Sequence, residues 1–123
     1  MAQRILLFEI EKEKMDKIQE ISARLRIQIK QIAPKDYAQQ LGYLAGIKGF
    51  NRQNNQYSGA PFPMEMLVFS GMDSEQVDLF LEEYKKTGMK PIGLKAIITE
   101  HNVFWTPQAL FGEILREHKA FHA

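Results

Sequence analysis

The sequence contains no cysteine in its 123 residues. This absence excludes thiolate chemistry, zinc ribbons and iron–sulfur clusters, and it is typical of proteins from a reducing compartment. A chain of this length buries about two-thirds of its unfolded surface, so it does not need a disulfide or a structural metal to fold. We therefore expect a cytoplasmic protein with no metal site and no cofactor.

Long apolar runs and an excess of one charge are also missing. The apolar run at residues 5–8 stops at Glu9, which is too short for a signal peptide or a membrane span. Sixteen basic and fifteen acidic residues leave a formal charge of +1, and the two signs are interspersed. Because such a surface does not attract polyanions over long range, we expect neither nucleic acid nor membrane as a partner.

Two apolar runs, residues 5–10 and 66–69, predict central strands that are covered on both faces. Residues 27–32 and 93–99 carry polar side chains within the run and predict edge strands. Apolar residues at helical spacing follow each of the four strands. Asp73, with a glutamine three residues later, predicts a capped start for the third helix.

The predicted elements form a βαβα unit in residues 1–46 and a second one in residues 65–123. A loop rich in Gly, Pro and Asn, residues 47–64, joins the two halves. Right-handed crossovers between parallel strands, with the apolar strands inside, give the strand order 2-1-3-4. The prediction is a single α/β domain over residues 1–123. It has a mainly parallel four-stranded sheet and four helices in a truncated flavodoxin-like layout, and a ferredoxin-like α+β fold is the alternative.

A parallel sheet would bring the carboxyl ends of its strands to one edge, where α/β proteins bind ligands. Residues 9–11 would then lie near residues 70–73, where Ser70 and Gly71 precede a helix start. Gly71 would let a ligand approach the backbone, although no phosphate-loop motif is present. The other interpretation of these residues is a tight turn before a capped helix.

Polar side chains leave the end of the fourth predicted strand together. Thr99, His101 and Asn102 offer hydrogen-bond donors and acceptors, and Trp105 offers a stacking face. This combination suits a small polar ligand. The structural alternative is that Asn102 satisfies turn amides, His101 is solvated and Trp105 packs onto the following helix.

Lys95 lies within an apolar strand. A buried amine there would have a lowered pKa and suit Schiff-base chemistry. A lysine that extends from an edge strand into solvent, where it blocks strand pairing, is the alternative.

Residues 64–118 resemble a small bacterial family known only as a domain of unknown function, numbered 3783. The matching features are the apolar strand with Phe69 and Gly71, an acidic helix start, and the following positions of the second half: Leu94, Lys95, Ala96, Thr99, Asn102, Trp105, Glu117 and His118. The resemblance implies no activity, but it singles out Lys95, Thr99, Asn102 and Trp105.

Three hypotheses of function remain. The favoured one is a small-ligand-binding or regulatory module without catalysis. The second is a protein-interaction or homo-oligomerisation domain that uses edge strands or the loop at residues 47–64. The third is a small enzyme that uses His101 or Lys95.

Overall fold

The computed structural model describes residues 2–122, with side chains described for residues 2–120. The strands are β1 (Arg4–Phe8), β2 (Gln28–Gln31), β3 (Met66–Ser70) and β4 (Leu94–Ile97). The helices are α1 (Lys12–Leu25), α2 (Leu41–Leu44), α3 (Ser74–Lys86) and α4 (Pro107–His122), and a single 3₁₀ turn (Pro34–Asp36) precedes α2.

The four strands form one sheet in the order β2-β1-β3-β4, which confirms the predicted order and the α/β class. Each half contributes a parallel pair, but β1 and β3 are antiparallel at the centre. The prediction of a mainly parallel, flavodoxin-like sheet is therefore wrong, and the wholly antiparallel ferredoxin-like sheet is not observed either. The crossover rule fixes strand direction only within a βαβ unit, and the long segment between the halves is not such a unit.

The two central strands are buried on both faces, which explains their continuous apolar sequences. Alternate residues of β1, such as Ile5 and Leu7, pack in the core under α1 and α3. Leu6 and Phe8 point to the opposite face, where Tyr37, α2 and α4 complete a second core.

The connection between the halves is held down by Gln39, which is fully buried. Its side-chain nitrogen donates to the carbonyls of Gln53 (2.8 Å) and Asn55 (2.9 Å), and its oxygen accepts from the Gln53 amide (2.8 Å). Further along, the Phe62 ring stacks on Tyr37 with centroids 4.1 Å apart. Tyr57 and Phe62 of the predicted loop thus pack onto the second core.

The backbone geometry of the first half recurs in the second. Glu9 (φ 58°) and Gly71 (φ 68°) both follow a central strand, and Arg26 (φ 59°) and Gly88 (φ 78°) both follow the next helix. Gly71 follows Glu9 by the same number of residues as Gly88 follows Arg26. Two left-handed positions that glycine occupies without strain in the second half are thus filled by Glu and Arg in the first.

This difference predicts opposite effects of two substitutions on the free energy of unfolding. Gly88→Ala should lower it by about 1 kcal/mol, because a Cβ there meets no neighbour and only the backbone strain acts. Arg26→Gly should raise it by about 0.5–1 kcal/mol, because the exposed Arg26 carries that strain already. Urea unfolding of both variants measures the effect, and changes of the same sign would contradict it.

Gln39→Ala should destabilise the protein by about 2 kcal/mol, because it removes three partly buried hydrogen bonds and leaves loop carbonyls without their side-chain donor. Gln40→Ala is the matched control, since Gln40 precedes α2 without a side-chain capping bond. Limited proteolysis should cut residues 47–64 much faster in the Gln39 variant alone. Equal cleavage of the two variants would show that Gln39 does not hold the loop.

Candidate functional site

The antiparallel centre of the sheet separates two segments that a parallel sheet would have placed together. Arg4 pairs with Ser70 and Phe8 pairs with Met66, so the end of β1 lies beside the beginning of β3. Residues 9–11 therefore lie at one end of the sheet, where β1 ends, and residues 70–73 lie at the opposite end, where β3 ends.

At the end of the sheet where β1 ends, the acidic side chains make structural contacts. The Tyr37 hydroxyl donates to the Glu9 carboxylate (2.6 Å), and burial together with this carboxylate raises the pKa of Tyr37 above its usual range. Glu65 pairs with the buried Lys14 (2.5 Å) and accepts from the Glu11 amide (2.9 Å). Within the described part of the chain, no group of three or more His, Cys, Asp or Glu residues is arranged to hold a metal ion.

At the opposite end of the sheet, where β3 ends, Ser70 is buried and lines a small cavity with Arg4 and Lys48. The Arg4 guanidinium donates to the Ala45 carbonyl and to the Gln28 side chain (2.6 Å), so these donors are bound to the protein itself. Gly71 adopts a left-handed conformation in the turn before α3.

The segment after β4 forms a tight, self-bonded turn. The Asn102 side chain accepts from the Thr99 amide (2.8 Å) and donates to the Ile97 carbonyl (3.0 Å). The Thr99 hydroxyl accepts from the amides of His101 (3.2 Å) and Asn102 (3.3 Å). The polar groups of Thr99 and Asn102 therefore bond to their own backbone, and the His101 side chain is exposed.

The position of Asn102 has a consequence for the edge of the sheet. Ile98 donates its amide to Phe69 of β3, and Leu94 donates to Glu65 just before β3. Ile97, which alternates with these residues along β4, therefore directs its backbone groups away from the sheet. Asn102 donates to the Ile97 carbonyl on this open side of β4. A strand of another chain could otherwise pair with β4 there.

Trp105 belongs to a different contact. Its carbonyl accepts from the Leu41 amide (2.8 Å), and the Val103 carbonyl accepts from Gly42 (2.9 Å), so residues 103–105 cap the start of α2. The indole is partly exposed and lines a shallow groove along α4. Next to it, Phe104 is 62% exposed, and its ring contacts the Phe50 ring with centroids 5.2 Å apart.

Lys95 lines a separate cavity of about 220 Å³, which we call the Lys95 cavity. Its wall is almost entirely apolar and combines the end of α3, the segment that follows it and the start of β4. The lining residues are Leu81, Tyr84, Lys85, Met89, Pro91, Ile92 and Lys95. Lys95 as a whole residue is exposed, in line with its place on an edge strand, but its amine folds back and is partly buried. The amine donates to the Ile92 carbonyl (2.7 Å), and this partial burial lowers the pKa of Lys95. No carboxylate lines this cavity.

The structure thus brings only some of the predicted site residues together. Thr99, His101 and Asn102 share one turn, whereas the Lys95 amine reaches back toward the start of β4. The apolar lining of the Lys95 cavity was not predicted. Leu81 belongs to the apolar side of α3, and the pattern that marks it as a core residue does not reveal that packing beside it is incomplete.

Residues 65–121 match the model of a domain of unknown function (DUF3783), which confirms the resemblance for this part of the chain. The matched range contains the Lys95 cavity and the turn after β4. No curated protein and no solved structure matches the chain significantly. Among the described residues, no helix is both long and apolar enough to cross a membrane.

The hydrogen bonds of the turn after β4 predict different roles for two adjacent side chains. Asn102→Ala should lower the free energy of unfolding by about 1–2 kcal/mol, because the Thr99 amide and the Ile97 carbonyl lose their partner. His101→Ala should change it by less than about 0.5 kcal/mol, as is usual for an exposed residue. Urea unfolding compares the two variants, and an equal loss in both would contradict the structural role of Asn102.

Proposed function

We propose that this protein is a non-catalytic binding or regulatory module that takes a small, largely apolar ligand in the Lys95 cavity. The observation that carries this proposal is an open apolar cavity with a partly buried amine at its wall. Ligand sites combine mainly apolar lining with a few polar groups that fix orientation, and the Lys95 cavity has this composition.

The size and charge of the cavity restrict the ligand. About 220 Å³ is below the range of roughly 300–1,000 Å³ found for drug-sized ligands, so the ligand is smaller than these. The lining residues include two lysines, Lys85 and Lys95, and no carboxylate. A small apolar molecule with one carboxylate or carbonyl group fits this arrangement.

The favoured hypothesis thereby changes its site. A polar ligand at Thr99 and Asn102 would have to compete with hydrogen bonds that already hold the turn. Displacing such bonds without replacing them costs about 0.5–1.5 kcal/mol for each bond. A ligand in the Lys95 cavity needs no such displacement by its apolar part.

The arrangement also favours binding over catalysis. His101 follows the end of β4, and the Lys95 amine lies near its beginning, so the two residues suggested for an enzyme do not share a site. Acid–base catalysis needs a partner within hydrogen-bond reach of the reacting group, and the cavity wall supplies neither a histidine nor a carboxylate.

Filling the cavity should abolish binding. NMR titration of the protein with benzoate and with small apolar ketones should shift resonances of residues 81–95. Leu81→Trp should weaken this binding by about tenfold or more, because the larger ring occupies the space that the ligand needs. Met89→Trp fills the same cavity from another segment and serves as a second variant should Leu81→Trp disturb the helix.

Leu79→Trp is the matched control, because Leu79 lies on the same helix but is 48% exposed and does not line the cavity. It should bind as the unaltered protein does. Shifts confined to residues 99–105, or equal binding by the two leucine variants, would refute the proposed site.

A further inference from the structure

The Lys95 amine combines two features that a carbonyl-binding lysine requires. It lies at an apolar cavity that a small molecule can enter, and its nitrogen is held in place by the Ile92 carbonyl at 2.7 Å. An amine that donates one N–H to a carbonyl keeps its lone pair when it is neutral, and the neutral form is the nucleophile.

The surroundings of Lys95 favour this neutral form. Of the neighbouring groups on α3, the Tyr84 hydroxyl donates to the Lys90 carbonyl (2.8 Å). No carboxylate of the cavity wall stabilises the ammonium form. Burial lowers the pKa of Lys95, which increases the neutral fraction near pH 7.

We propose that Lys95 forms a reversible imine with a small apolar aldehyde or ketone that occupies the cavity. This inference rests on the proposed function and adds the chemical class of the ligand. The nitrogen lone pair forms a bond to the carbonyl carbon. The carbonyl oxygen then leaves as water with the two hydrogens of the amine, so the step needs no oxidant or reductant.

The apolar wall supports both directions of this equilibrium. The hydrocarbon part of the ligand replaces water against side chains such as Leu81 and Met89, which favours entry. The open side of the cavity admits water, which returns the imine to amine and carbonyl compound. Lys95 would thus hold its ligand covalently without altering it, in agreement with a carrier or sensor role.

The test uses benzaldehyde with the full chain at pH 7 and sodium cyanoborohydride, which reduces an imine to a stable secondary amine. Peptide mass mapping then compares the rates of modification at Lys95 and at Lys90, which are both exposed residues, whereas only Lys95 lines the cavity. Lys95 should react about tenfold faster or more, because the cavity holds the aldehyde next to its amine. Modification of Lys95 at the Lys90 rate would overturn the proposal.

Four variants complete the test. Lys95→Arg keeps a basic side chain but cannot form the imine, so the fast modification should disappear. Lys95→Met is the second variant, to be used if arginine disturbs the cavity. Leu81→Trp should slow modification of Lys95 and leave Lys90 unaffected. Lys90→Arg, the matched control, should leave the fast modification unchanged.

Benzoate separates this inference from the proposed function. If benzoate binds in the cavity and Lys95 is not modified faster than Lys90, the imine is refuted and the binding module stands. If benzoate and the ketones do not bind and benzaldehyde does not select Lys95, both proposals fail. Fast modification of Lys95 that benzoate suppresses supports both.

Discussion

The antiparallel contact between β1 and β3 is the constraint on which the other elements of the structure depend. Five residues on each strand pair across the centre, from Arg4 with Ser70 to Phe8 with Met66. Without this contact, each half would be a two-stranded sheet with an apolar, unpaired central strand, which is unstable and prone to association. The contact satisfies both central strands at once and lets α1 and α3 share one face of the sheet.

The same contact determines where a ligand can bind. In open parallel sheets, a crevice forms where the carboxyl ends of adjacent strands diverge at one edge. Here β1 and β3 end at opposite edges, and this crevice is not available to them. One cavity still joins the halves, with Arg4 and Lys48 beside Ser70, but the Lys95 cavity is built wholly from residues 81–95, within the range that matches the domain of unknown function.

Strand positions and order could be predicted because they depend on hydrophobic pattern and short connections, and the capping box at Asp73 and Gln76 is confirmed. The direction of β3 could not be predicted, because a strand buried on both faces is apolar throughout, whether it runs parallel or antiparallel to its neighbour. At the candidate site, residue types showed that Asn102 could serve a ligand or a turn, and only its two hydrogen-bond partners distinguish these roles. A cavity forms where side chains pack incompletely, and the periodicity of apolar residues does not predict where this occurs.

The two halves also differ in how their helices begin, and this difference bears on the location of the proposed site. The start of α3 is satisfied within its own half, because Asp73 and Gln76 exchange hydrogen bonds of 2.9 Å. The start of α1 depends on the other half, since Glu65 accepts from the Glu11 amide and pairs with Lys14. Glu9 likewise retains a strained backbone where the second half has glycine, and its carboxylate accepts from Tyr37. Polar groups of both halves therefore support the fold, whereas the Lys95 amine bonds to the Ile92 carbonyl, at a cavity whose lining contains no carboxylate.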